Sequence, residues 1–195
     1  MSFAELNVQT FRMINDLGKQ FEGLNPLITL IAENMIFVLA AAVVFFLFSR
    51  KAVNRLMIVT ALIALIVAEV LGKIAGSFHS NNQPFAELSE VNKLIDMGVN
   101  NSFPSDHTII FFTMTVSFWL FKRKFHYYWV VLAFVVGFSR IWAGVHYPAD
   151  VAAGALIGAG TAFLAYRFIP NLSFMKKLVK KEEYKNLPGN EMKNF

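Results

Sequence analysis

The chain has 195 residues, 56% hydrophobic and only 16% charged, with a mean hydropathy of +0.50, against about 45–50% apolar and about 25% charged for an ordinary soluble domain. So little charge cannot clothe a water-soluble surface, and the 21 Phe exclude disordered, collagen-like and coiled-coil chains. The net charge of +5 fits the positive-inside bias of a membrane protein better than a nucleic-acid partner, and the lack of Cys removes disulfide and thiolate–metal chemistry.

Residues 1–26 carry Phe3, Leu6, Val8, Phe11, Ile14, Leu17 and Phe21 at three- and four-residue steps, beside polar Glu5, Arg12, Asp16 and Lys19. This spacing predicts an amphipathic helix closed by Gly23, Asn25 and Pro26, either lying on the membrane or packed on a bundle as in a soluble protein. The segment lacks the basic start and unbroken apolar core of a signal peptide. A membrane-spanning helix needs about 20 mostly apolar residues. Segments 27–48, 56–76, 106–121, 127–144 and 148–168 qualify if the shorter ones gain a turn. The expected class is an all-α integral membrane protein: an interfacial helix over 1–26, a transmembrane domain over 27–170 and a basic tail over 171–195. The connection 77–105 is too long for a turn and is expected to hold a short helix near Glu87–Met97.

Loop charges orient this bundle. Arg50, Lys51, Arg55, Lys122, Arg123, Lys124, Arg167, Lys176, Lys177, Lys180, Lys181, Lys185 and Lys193 account for thirteen of the 18 basic residues, all at one end. That end is expected in the cytoplasm, with the C-terminus, and the N-terminal helix, the 77–105 connection and the turn at 145–148 outside. The tail reads as a solvated segment drawn to lipid headgroups.

Ionisable residues inside a membrane domain are functional-site hypotheses by default. Here they are Glu33, Glu69, Lys73, Asp106, His107, Arg140, His146 and Asp150, and most fall at the outer helix ends. In F-P-S-D-H, Pro104 suits a helix's first turn and the free amides of that start form an anion site. Ser105 adds a hydroxyl and His107 a titratable proton; a plain helix cap with a buried histidine is the simpler alternative. In S-R-I-W-A-G-V-H-Y-P-A-D, Arg140 can grip phosphate in a bidentate fork. Four residues separate His146 from Asp150, so the carboxylate can hold one imidazole nitrogen and leave the other free to attack. Alternatively, Arg140 reaches to the headgroups and Asp150 caps its helix.

P-S-D-H followed by S-R-(x)5-H-(x)3-D resembles the second and third signatures of the type-2 phosphatidic acid phosphatase superfamily. Asp in the second motif and the run G-K-(x)5-H-S-N-N-Q-P-F are similar to the bacitracin-resistance type of undecaprenyl pyrophosphate phosphatase. The first signature, Lys, six residues, then Arg-Pro, is broken. Lys73 is present, but the basic pair is replaced by neutral Asn81, Asn82, Gln83 and Pro84.

The resemblance implies a helical bundle like that of acid phosphatases and vanadium haloperoxidases, and a hydrolysis without metal or cofactor. His146 would attack phosphorus and form a phosphohistidine, Asp150 would orient it, and His107 would serve as general acid and base. Lys73, Ser105, Ser139, Arg140, Asn81 and Gln83 would bind phosphoryl oxygens. Asp106 is expected to orient or tune His107, and Glu69 to pair with Lys73. His79 and His126 have no role. The implied substrate is undecaprenyl pyrophosphate, converted at the outer face of a bacterial membrane to undecaprenyl phosphate for peptidoglycan synthesis, with bacitracin resistance as a consequence. A broader lipid phosphatase is the alternative enzyme reading; a transporter component is the alternative of another class.

Overall fold

The structure is a computed structural model that describes residues 1–122 and 126–177. Among these residues it is entirely helical. An N-terminal pair, α1 (Phe3–Asn15) and α2 (Leu17–Gln20), leads through a 3-10 turn into α3 (Asn25–Leu47). Then follow α4 (Ala52–Phe78), the single turn α5 (Pro84–Glu87), α6 (Asp106–Lys122), α7 (Tyr127–Trp142), α8 (Pro148–Phe168) and a short α9 (Ser173–Lys177). Arg123, Lys124 and most of the expected basic tail lie outside the described residues.

Three stretches are long and apolar enough to cross a membrane: Glu22–Leu47, Ala52–Phe78 and Pro148–Asn171. The shorter α6 and α7, with 17 and 16 residues, do not gain the expected extra turn. Each is about 25 Å long at 1.5 Å per residue, somewhat less than the roughly 30 Å hydrocarbon core. Both stop early at the same end, where Pro104 precedes α6 and a positive-φ glycine follows α7.

The bundle is organised around α6, which packs against α8, α4 and α7. Its fully buried Phe111 and Phe118 show why: a helix apolar all round belongs in the middle. Phe118 meets Phe46 and Trp129 edge-on, at centroid distances of 5.5 and 5.6 Å, each such pair being worth about 0.5–1.5 kcal/mol. On the α8 side, Gly154 and Gly158 let the backbones touch. A Cβ at these positions would stand 2.8 Å from the Ser105 carbonyl oxygen and 2.7 Å from that of Ile109. Lipid offers helices little hydrophobic reason to associate, so close backbone packing of this kind is a main adhesive.

The helix over 1–26 proves to be a packed one. Its buried Phe11 sits edge-on against Tyr147, and the fully buried Asn15 donates to the Trp142 carbonyl at 2.8 Å. Its opposite face exposes Phe3, Leu6 and Met13, so the amphipathic reading is also present in the surface. The chain breaks at Asp16 and again at 22–24, and Asn25 and Pro26 open α3 rather than merely closing the first helix.

The expected helix near Glu87–Met97 is absent. Only α5 forms, and the following backbone is extended because its polar groups bond elsewhere. Arg12 Nη2 donates to the Ser89 carbonyl (2.7 Å), the Asn92 amide donates to Asn15 Oδ1 (2.9 Å), and the Leu94 amide donates to the Ala143 carbonyl (3.1 Å). Glu90 takes φ 53°, a local break no helix accepts.

Gly144 is the hinge of the α7–α8 turn. Its φ is +81°, and a Cβ there would lie 2.7 Å from Val91 Cγ1 and 2.8 Å from the Asn92 carbonyl oxygen. Gly144→Ala is therefore expected to destabilise the protein by about 1–3 kcal/mol, read as a lowered midpoint of thermal unfolding in detergent; an unchanged midpoint would contradict the tight turn.

Candidate active site

The short helices leave one end of the bundle to loops, and most of the ionisable residues meet there. His146 lies in the α7–α8 turn and Asp150 in the first turn of α8, where Pro148 fixes the helix start. Exposure is 7% for His146, 1% for Asp150 and 4% for Arg140. These are groups withdrawn from water, not a solvated face.

The hydrogen bonds of His146 settle which ring nitrogen carries the proton. Nδ1 lies 3.0 Å from the Ser102 carbonyl oxygen, which can only accept, so Nδ1 carries a hydrogen and, in the neutral ring, the lone pair lies on Nε2. The same Nδ1 is 3.1 Å from Ser102 Oγ, and that hydroxyl donates to Asp150 Oδ2 at 2.6 Å. Asp150 itself stands 3.6 Å from Nδ1, beyond a good hydrogen bond. Asp150 thus reaches the ring through Ser102, a residue the sequence reading passed over. Asp150 Oδ2 also accepts from the Tyr147 amide at 2.8 Å, and the Asp150 carbonyl accepts from the Ser105 amide at 3.1 Å. The α6 start and the α8 start are thereby stitched together.

Arg140 arrives from the last turn of α7. Its Nη1 donates to the Ala32 carbonyl of α3 at 3.1 Å, while the buried Nε has no hydrogen-bond partner among the described residues. An unmatched guanidinium N–H in a buried place is a donor still open to an acceptor. His107, half-buried one residue into α6, lies within electrostatic reach of both Arg140 and His146. Lys73 is exposed near the end of α4 and lines a polar cavity of about 340 Å³ with Asp106, Asn101, Phe103 and Pro104.

Other expected site residues are engaged elsewhere. Ser139 is fully buried and its hydroxyl donates to the Val136 carbonyl of its own helix at 2.7 Å, so its proton does not point to a substrate. Ser105 Oγ accepts from Thr108 Oγ1 at 3.0 Å. Gln83 is fully buried as a clasp on Asn100: its Nε2 donates to Asn100 Oδ1, and its Oε1 accepts the Asn100 amide at 3.0 Å. It braces the 79–105 connection rather than offering a phosphate donor. Asn81 holds the same loop, its carbonyl accepting the Ser102 amide at 2.7 Å, and its buried Oδ1 is an acceptor that would face an anion badly. Asp106 is exposed on the Lys73 cavity. Glu69, one turn before Lys73, feels Asp106 and Lys73 and has a buried Oε1 without a hydrogen-bond partner among the described residues.

Two further residues brace the turn. Tyr147 donates its hydroxyl to Glu87 Oε2 at 3.0 Å, and Glu87 Oε1 accepts the Asn82 amide at 3.0 Å. Burial, and then the Glu87 carboxylate, push the Tyr147 phenol well above its ordinary range, which keeps it a neutral donor. His79 packs edge-on against Phe103 at 4.9 Å and His126 precedes α7 at the opposite end. Among the described residues, no three His, Cys, Asp or Glu are grouped as a metal site.

Residues 58–174 match the PAP2 superfamily, and the chain belongs to that family. It is 52% identical over its whole length, and over 97% of the relative's, to the bacitracin transport permease protein BcrC of Bacillus licheniformis. A putative undecaprenyl-diphosphatase, YbjG of Escherichia coli, is 33% identical over 78% of this chain and 77% of its own. The undecaprenyl-diphosphatase BcrC of Bacillus subtilis is 28% identical over 84% of both chains. Among solved structures, LpxE of Aquifex aeolicus superposes with a TM-score of 0.70 at 26% identity, covering 84% of this chain and 96% of that one. A PAP2-type phosphatidylglycerolphosphate phosphatase from Bacillus subtilis shares the fold alone, with a TM-score of 0.59 at 20% identity over 88% of this chain and 89% of that one.

The Ser102 bridge yields a direct test. In Ser102→Ala the buried Asp150 oxygen loses its closest donor, which costs about 1–3 kcal/mol for a group that stays charged and buried. The variant is expected to unfold at correspondingly lower denaturant, while the His146 ring, still held by the Ser102 backbone carbonyl, keeps its Nδ1–H signal in nitrogen-15 spectra. Unchanged stability would show that the hydroxyl bridge does not support the buried carboxylate.

Proposed function

We propose that this protein is an undecaprenyl pyrophosphate phosphatase that releases the terminal phosphate of the lipid carrier and leaves undecaprenyl phosphate for reuse in peptidoglycan synthesis. The observation that carries the reading is the His146 ring, held by Nδ1 so that Nε2 is a free nucleophile, in one buried cluster with Arg140. The undecaprenyl-diphosphatases among its relatives supply the substrate class.

In the first step Nε2 of His146 attacks the terminal phosphorus. A P–N bond forms, the P–O bond to the bridging oxygen breaks, and His107 gives its proton to the departing undecaprenyl phosphate. Asp150, acting through Ser102 Oγ, stabilises the positive charge that develops on the ring. In the second step His107, now a base, takes a proton from water as its oxygen attacks phosphorus. The P–N bond breaks and inorganic phosphate leaves. Arg140 presents Nε to the equatorial oxygens, amides at the start of α6 add donors, and Lys73 supplies the second cation. Such chemistry depends on positioning and charge neutralisation, which these residues provide without a metal.

The site end of the bundle faces outward in this reading. The basic residues Arg50, Lys51 and Arg55 follow α3 and Arg167 ends α8, at the opposite end from His146. A lipid diphosphate displayed at the outer leaflet then meets the site while its tail stays in the bilayer, and its removal from bacitracin's reach gives resistance.

One relative bears a transport name, so transport is the reading from another class. Against it, α3, α4 and α8 run unbroken and the charged cluster lies at one end of the bundle, whereas transporters place their sites at the midplane between broken helices.

The deciding experiment is phosphate release by the purified full chain in detergent with EDTA, from undecaprenyl pyrophosphate, phosphatidic acid and phosphatidylglycerol phosphate. Undecaprenyl pyrophosphate is expected to be the preferred substrate, EDTA to have no effect, and His146→Ala to lower turnover about a thousandfold or more. Equal rates on all three lipids would replace the reading by a broad lipid phosphatase, loss of activity in EDTA would overturn the metal-free route, and an active His146→Ala would remove the nucleophile.

A further inference from the structure

Under the N-terminal helix lies an apolar groove of about 610 Å³ that the phosphate chemistry leaves unused. Phe3 of α1 forms one wall, Phe103 of the 79–105 connection another, and Ala152 and Leu156 of α8 a third, while Asp150 and Tyr147 also line it. Resting on the function proposed above, we propose that this groove holds the prenyl units next to the diphosphate, with the rest of the tail leaving along α8 into the bilayer.

Continuity with the reacting cluster is the first argument. Asp150 belongs both to the His146 junction and to the groove. Phe103 is a wall shared by the groove and by the polar cavity that holds Lys73 and Asp106. An apolar slot and a charged cavity thus meet across one aromatic ring, the arrangement an amphiphile with a diphosphate head and a hydrocarbon tail requires.

The second argument is the state of the walls. Phe3 and Leu156 line the groove and are 75% and 76% exposed, so no other part of the described chain fills the space between them. Two polar side chains of the lining are already engaged: Asn7 Oδ1 accepts the Ala149 amide at 3.0 Å, and Glu87 accepts from Tyr147 and Asn82. A hydrocarbon in the groove leaves those bonds intact.

The third argument is preformation and direction. The Asn7 and Asn15 bonds fix α1 over the outer ends of α7 and α8, so the groove exists before any ligand arrives. Its volume is that of a small-molecule pocket, room for the head-proximal part of a long tail only. Beyond Leu156, Phe163 follows seven residues later on the same α8 face and is exposed to the bilayer, giving the remaining tail a path.

The test uses the full chain in detergent with two probes, undecaprenyl pyrophosphate and inorganic pyrophosphate, which has no tail. Ala152→Trp fills the groove from an exposed position, and Phe3→Asp, at a residue without a packing role, places a charge on its wall. Each variant is expected to raise KM for undecaprenyl pyrophosphate about tenfold, with kcat for that lipid and kcat/KM for inorganic pyrophosphate unchanged. Tenfold corresponds to about 1.4 kcal/mol. Unchanged KM in both variants, or the same loss on both probes, would overturn the groove. If the wild type releases phosphate from inorganic pyrophosphate but not from undecaprenyl pyrophosphate, the functional reading itself fails.

Discussion

A single carboxylate oxygen, Oδ2 of Asp150, accepts the Ser102 hydroxyl at 2.6 Å and the Tyr147 amide at 2.8 Å, and much of the outer end of the bundle hangs on those two bonds. The first ties the 79–105 connection to α8; the second closes the α7–α8 turn around His146. Ser102 then passes the constraint on, its carbonyl and hydroxyl both holding Nδ1 of the ring. A charge this deeply buried is stable only when its lone pairs are filled, so the local fold cannot relax without exposing or orphaning the carboxylate. The same geometry that stabilises the turn therefore fixes the orientation of the His146 ring.

Helix length follows from the same constraint. Within lipid, backbone groups must be satisfied inside the protein, and irregular chain is tolerated only where it is buried in protein or lines a cavity. Here the longest irregular segment, between α5 and α6, lies at the end of the bundle that holds His146, where α6 and α7 stop short and loop backbone fills the layer. The α1 helix completes that layer. Asn15 satisfies the Trp142 and Asn92 carbonyls and the Asn92 amide, while Asn25 accepts the Trp142 indole N–H at 3.0 Å. These are bonds of a helix docked as in a soluble protein, even though its other face exposes Phe3, Leu6 and Met13.

Much of this architecture is legible in the sequence because it rests on local regularities. Long apolar runs mark α3, α4 and α8, and the His146–Pro148–Asp150 spacing marks a helix start with both side chains at one end. What escapes is what depends on contacts distant along the chain. Ser102 meets Asp150 across 48 residues, and nothing around a lone serine announces that partner. The extended path after Glu87 is likewise dictated from outside, by Arg12, Asn15 and Ala143, and overrides any local helical preference. Gln83 was legible as a polar residue in the right place, yet only the structure shows that both ends of its amide are held by Asn100.

That last point changes how the positive charge of the site must be understood. With Gln83 turned inward as a clasp, the segment that replaces the basic pair of the first signature contributes bracing and no cation. In the proposed phosphate site the cations are then Arg140 and Lys73, in the company of Glu33, Asp106 and Glu69, whose fields act on them. The carboxylates of Glu33 and Asp106 favour the charged form of Arg140, which makes its burial tolerable. A diphosphate adds negative charge beside Asp106, so the exposed position of that carboxylate matters: on the cavity rim water screens it, while Arg140 acts from the buried side where screening is weak. For the proposed substrate, a cation acting from the less screened side offsets the solvated acid, which makes an acidic residue beside the site compatible with the proposed phosphate binding.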